Sequence, residues 1–226
     1  MDFIRARGRS LTLVVVVMCV VAVFQSGISY TIAEGELRKL LPVSAPAITL
    51  TLTALRIGLL LLIVLLWAVN RKRALFRAVI AVNAFFTLIL LTQTYSLVSI
   101  LAGISAHSVR ALWIDTMLMA ISNIVIFSVW YWINDPPGVE EKANEQAPWA
   151  LLFPQRASPL PHYDSWSPRY SDYLFVAFTT SFAFSPTDTL PLSRAAKMLM
   201  LLQSAISLVI ITGIAGSAVN VLGGSG

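Results

Sequence analysis

Charge is scarce in this chain. Only 12% of its 226 residues are Asp, Glu, Lys or Arg, about half the roughly 25% usual in soluble domains. Cysteine is almost absent. Cys19 stands alone, so no intrachain disulfide can form and no cysteine-based metal framework can be built; inside its apolar block it reads as a small buried side chain. Histidine is limited to His107 and His162, neither with a metal-ligating neighbour at helical spacing. No Ser-His-Asp or Cys-His arrangement stands out. No catalytic residue, metal or cofactor is expected, and the chain does not read as an enzyme.

Hydrophobic residues make up 57% of the sequence, and the mean hydropathy is +0.78. They come in long blocks, and about 20 apolar residues in a helix cross the hydrocarbon core of a bilayer. The first block, Leu11 to about Ile32, follows Arg5, Arg7 and Arg9. A cleaved signal peptide opens in the same way. This block is longer than that, and no clean small-x-small site follows its core, so a retained span is expected. Pro42 and Pro46 suit the next connection, with Pro46 at a helix start. The second span covers about Ala47 to Val69 and stops at Asn70-Arg71-Lys72-Arg73. The third covers about Ala78 to Leu101. The fourth covers about Ala111 to Ile133 and ends in Trp130, Tyr131 and Trp132, rings that favour the membrane interface. Residues 134–171 are rich in proline, which forbids a long helix. They read as a solvated loop, with Trp149, Leu151, Leu152, Phe153 and Trp166 able to lie on the bilayer surface.

The last quarter is built differently. Asp172 to Phe184 is apolar and aromatic but about 13 residues long, too short to span as a helix. A polar turn from Ser185 to Ser193, broken by Pro186 and Pro191, precedes an apolar block from about Ala195 to Leu222. Short helix, polar turn and long helix describe a re-entrant loop followed by a span. The competing reading is a full span from Tyr173 to about Leu190, which sets Pro186 and Asp188 in lipid at considerable cost. The expected fold is therefore an all-α integral membrane protein: a four-span domain (1–133), a proline-rich loop (134–171) and a helical hairpin (172–222).

The stretch from Tyr173 to Asp188 resembles the pore helix and filter of potassium-channel-type pore modules. Thr179 and Thr180 match the threonine pair that ends the pore helix. Phe184 or Phe182 stands for the filter aromatic, and Asp188 for the closing acid, two residues late. Met198 to Leu222 matches the inner helix, with Gly213 and Gly216 where a hinge glycine lies. The hairpin is also similar to that of a group of bacterial membrane proteins carrying a domain of unknown function, through Phe178–Thr180, Ser185–Thr189, Leu192–Arg194 and Val219-Asn220. The resemblance covers about 50 residues. It implies a filter-like set of Thr179, Thr180, Phe184, Ser185, Thr187 and Asp188, and an inorganic ion as the partner of that set. One departure matters. A potassium filter offers rings of backbone carbonyls, and glycine permits that backbone, yet no glycine occurs between Val139 and Gly213. Selectivity of the potassium kind is not expected. The turn then reads either as an ion-contacting site or as a plain turn and helix cap, for which Ser, Pro and Asp are well suited.

Two charges fall inside predicted spans. Arg56 is roughly 14 Å deep in the second and Asp115 roughly 6 Å deep in the fourth at 1.5 Å per residue. Such groups are costly unless paired or functional. A structural Arg56–Asp115 pair is expected, with anion binding by Arg56 as the sharper alternative. Asn83, Gln93 and Asn123 are expected to hydrogen-bond between helices.

The balance is basic, +5 with a pI near 9.7, but the basic residues flank the apolar blocks, which does not suggest a nucleic-acid partner. Arg5, Arg7, Arg9, Arg71, Lys72, Arg73, Arg77, Lys142, Arg156 and Arg169 share one side, against Arg38, Lys39 and Arg110 on the other. The N-terminus and the long loop are therefore expected in the cytoplasm of a multi-pass cell-membrane protein. The short helix then enters from the cytoplasmic side, whereas potassium-channel pore loops enter from outside; the charge count rests on more residues than the analogy. The functional expectation is a channel-like or transport-related protein in the lipid bilayer, a homo-oligomer because one hairpin cannot enclose a pore, and a tetramer if a pore forms. The alternative is a non-transporting structural or interaction protein that keeps the hairpin as architecture.

Overall fold

Runs of Val, Ile and Leu that alternate in no clear way become helices here for a simple reason. A helix satisfies its interior backbone N–H and C=O groups within the segment itself. The computed structural model describes residues 8–28, 45–69, 71–102, 109–135, 149–158, 160, 163, 166–185 and 188–223. Among them, four long helices come first: α1 (Gly8–Gly27), α2 (Ala45–Ala68), α3 (Lys72–Ala102) and α4 (Val109–Asn134). A two-residue strand β1 (Leu151–Leu152) and a single turn α5 (Pro154–Ala157) follow, then α6 (Tyr170–Ala183), β2 (Leu190–Pro191) and α7 (Arg194–Gly223).

By length and composition, α2, α3, α4 and α7 are long and apolar enough to cross a membrane. The apolar part of α1, Leu11–Gly27, lies at the lower limit of about 17 residues for spanning. The helices are apolar nearly all round, which is compatible with a membrane environment. Leu50, Leu61, Leu65, Val23, Leu88, Met198 and Leu201 are all exposed, which makes an outer surface far more apolar than a water-soluble protein tolerates.

Consecutive helices run antiparallel, and their contacts sort the residues into two ends. At one end, Trp67 donates to the Thr12 hydroxyl at 3.2 Å, and the rings of Phe76 and Trp132 lie 6.0 Å apart. At the other, Gly27 lies against Leu118, and Gly213 against Leu97 and Thr116. Arg71, Arg73 and Arg77 stand exposed at the first end, together with Arg169, Arg194 and Lys197; this is the basic end. α4 is the central helix, packed on α1, α3, α6 and α7, while α2 lies at the edge against α1 and α3.

The described part of the long loop is more than solvated chain. Ala150, Leu151 and Phe153 are buried, and β1 pairs antiparallel with β2, Leu151 opposite Pro191 and Leu152 opposite Leu190. This small ladder, absent from the all-helical expectation, ties the loop to the hairpin. α3 also starts earlier than its apolar pattern suggests, at Lys72, because the basic residues at its start lie beyond the apolar zone and need not interrupt the helix.

Candidate functional site

The hairpin is held at both ends by one carboxylate. Asp135, just past α4, is fully buried. It accepts from the backbone amides of Ala150 at 3.1 Å and Leu151 at 3.3 Å, and from the Tyr173 hydroxyl at 2.7 Å. Its ion pair with Arg156 measures 3.1 Å, with the side chains 0% and 3% exposed. Arg156 also donates to Leu151 O at 2.6 Å and stacks over Trp149 and Phe153. Phe153 in turn meets Tyr173 edge-on. Ala150 O receives the amides of Leu192 and Ser193. Thus the start of α6 and the start of α7 both gather at the end of α4, which is the basic end.

From there α6 descends alongside α4, in the opposite direction. Its 14 residues reach about 21 Å, short of the roughly 30 Å hydrocarbon core. It ends at Phe184, whose φ of 53° is left-handed, a conformation that costs a non-glycine residue about 1–2 kcal/mol. The chain then turns back. Six residue steps from Phe184 to Leu190 cover at most about 21 Å even when extended, just enough to bring β2 back to β1. α7 starts there, its first turn capped by the Ser193 hydroxyl, which accepts from the Ala196 amide at 3.0 Å.

Between α4, α6 and α7 lies a buried polar cluster. Gln203 donates to Ala177 O and to the Ser181 hydroxyl, both at 2.7 Å, and accepts from the Tyr131 hydroxyl. One turn further along α7, Asn123 donates to Ser207 at 2.8 Å. Thr180 is fully buried in the same layer. A void of about 10 Å³ borders Asn123, Ser181 and Ser207, enough for about one water molecule and no more. The expected interhelical roles of Asn83 and Asn123 are met, since Asn83 donates to Ile126 O at 3.2 Å. Gln93 is different: it is buried, and neither end of its amide has a hydrogen-bond partner among the described residues.

The residues of the filter-like set are spread along the hairpin. Thr179 bonds back to Phe175 O and Val176 O of its own helix, whereas Thr180 faces the bundle. Phe184 and Ser185 are exposed just past the end of α6, and Asp188 is exposed beside the Thr189 hydroxyl. Thr187 lies outside the described residues. Gly213 falls inside the unbroken helix α7, where a Cβ would sit 3.0 Å from a Leu97 methyl and 3.2 Å from a Thr116 methyl. Its observed part is close packing of three helices. Gly216 is in the same helix. Arg56 and Asp115 are both buried and both engaged in interactions.

Sequence reasoning missed Asp135, Arg156, Tyr173 and Gln203. One signal was present. Gln203 and Ser207 are four residues apart in an apolar helix, so they share a face, and Ser181 offered a matching polar group on α6. No protein-family model, curated protein or solved structure matches the chain.

Proposed function

We propose that this chain is a channel-like or transport-related membrane protein whose hairpins, in a homo-oligomer, border an aqueous path. The reading rests on one observation: a helix too short to span whose two flanks meet at the same end of α4, with Phe184, Ser185 and Asp188 exposed on the single chain. Irregular backbone at membrane depth is tolerated only where protein or water covers it. Exposed Ser185 and Asp188 are unsuited to lipid. Copies of the chain around an axis, with these groups toward water, satisfy both requirements. In this arrangement α1, α2, α3, α4 and α7 cross the bilayer, and α6 is re-entrant. The exposed arginines and lysine at the basic end favour the cytoplasm for that end and hence for the N-terminus. The hairpin's likeness to channel pore modules supports the channel reading, with an inorganic ion as cargo, although those modules enter from the opposite side.

A second reading has one observation in its favour. Thr179 and Thr180 are turned toward their own helix and the bundle, which suits a hairpin kept for architecture alone. Flux measurements separate the two. Liposomes carrying the purified protein should pass small ions, and Asp188→Asn should change rate or selectivity while Thr180→Ala, buried in the bundle, lowers stability. Absence of flux under every gradient favours the structural reading. The re-entrant geometry has its own test, in a Cys19→Ala background. Arg169→Cys and Arg194→Cys, both at exposed positions, should react with an impermeant reagent from the same face; opposite faces would refute the half-way turn.

A further inference from the structure

Away from the hairpin turn, a groove of about 580 Å³ opens between the last turns of α4 and the first turns of α7. Trp130, Ile133 and Asn134 form one wall, and Met198, Leu202 and Ala205 the other. Along α7 it runs from Ala195 to Ala205, about 15 Å at 1.5 Å per residue, or half of a hydrocarbon core of about 30 Å. It is therefore one leaflet deep, and it starts at the basic end. Its walls are apolar except for Asn134, whose amide nitrogen is shielded from solvent and has no hydrogen-bond partner among the described residues. At its mouth Arg194 and Lys197 stand exposed on the first turn of α7. Arg194 precedes Met198 by four residues, which sets it over the groove face of the helix, and Lys197 precedes Leu201 by four, which sets it on the flank beside the groove. α7 contains no carboxylate, and none lines the groove.

We infer that this groove binds an anionic phospholipid from the leaflet at the basic end. One acyl chain lies along the apolar trough, and Arg194 and Lys197 hold the phosphate and the negative headgroup. The trough by itself accepts any acyl chain. The selection for negative charge comes from the two cations at headgroup level, the arrangement by which basic residues next to a span retain acidic lipids. The inference does not depend on transport.

Quenching of Trp130 by brominated lipids tests it on the full chain in phosphatidylcholine vesicles. The Trp130 signal is the difference between wild type and Trp130→Phe. Brominated phosphatidylglycerol should reach half-maximal quenching at a mole fraction on the order of tenfold lower than brominated phosphatidylcholine, and in Arg194→Gln/Lys197→Gln the two should become nearly equal. Equal quenching in wild type overturns the inference, as does a preference that survives in the double variant. A Trp130 shielded from both lipids in a protein that migrates as a dimer also overturns it, because a second copy then fills the groove. If Trp130→Phe fails to fold, native mass spectrometry of the wild type and the charge variant reads the same preference from the lipid retained. Retention of phosphatidylcholine and phosphatidylglycerol in equal measure would again refute it.

Discussion

Replacing Asp135 by asparagine tests the joint on which the hairpin hangs. The two side chains have nearly the same size, so the change removes the charge and one acceptor oxygen. The Asp135–Arg156 pair is buried on both sides at 3.1 Å, and breaking such a pair from one side costs about 3–5 kcal/mol because the surviving charge is left without compensation. That is a large share of the roughly 5–15 kcal/mol that holds a typical domain together. Asparagine can still accept from the Ala150 and Leu151 amides, but its NH2, in place of Oδ2, cannot accept from Arg156 or from the Tyr173 hydroxyl, so the loss combines the stranded cation with one hydrogen bond that must reverse. Arg156→Met in the Asp135→Asn background removes the stranded cation and keeps an apolar stem over Trp149 and Phe153. The double variant should then be more stable than Asp135→Asn alone. Unfolding in detergent, followed by tryptophan fluorescence, gives both numbers. A single variant within about 0.5 kcal/mol of wild type, the range of ordinary surface changes, refutes the reasoning, as does a double variant that is worse than the single.

Gln203→Leu should cost about 2 kcal/mol, from three interhelical hydrogen bonds at about 0.6 kcal/mol each in a membrane; denaturant unfolding checks it, and no loss would mean that the polar layer is energetically idle. Phe184→Gly should stabilise by about 1 kcal/mol, since glycine adopts the left-handed conformation without the penalty; a lower melting temperature contradicts this. Gly213→Val should destabilise by about 1–3 kcal/mol through overpacking against Leu97 and Thr116, and Leu97→Ala in the same chain should recover part of the loss. If Leu97→Ala only adds to the damage, the contact is not the cause.

The long helices were legible because apolar runs of this length have few other uses. The half-length of α6 was legible too, from the shortness of Asp172 to Phe184 and the prolines beyond it. The joint at Asp135 was not. It pairs one residue after α4 with a residue 21 positions later inside a stretch dominated by proline, and composition there points only to a loop. The small ladder between Leu151-Leu152 and Leu190-Pro191 was hidden for the same reason, since two-residue strands carry no period. Gly213 was noticed for flexibility, but its neighbours belong to α3 and α4, and no pattern within α7 announces them. Arg56 and Asp115 stood out as charges, and the structure buries both.

The polar face of α6 finds its partners on α4, which is made before it, and on α7, which is made after it. A nascent chain that has emitted α6 but not α7 therefore lacks Gln203, and with it the bonds that cap Ala177 and Ser181. Until the final helix has been made, α6 holds only its contacts with α4 and its end, among them the hydrogen bond from Tyr173 to Asp135. A chain cut before Gln203 keeps that joint and loses the donor to Ala177 O and Ser181.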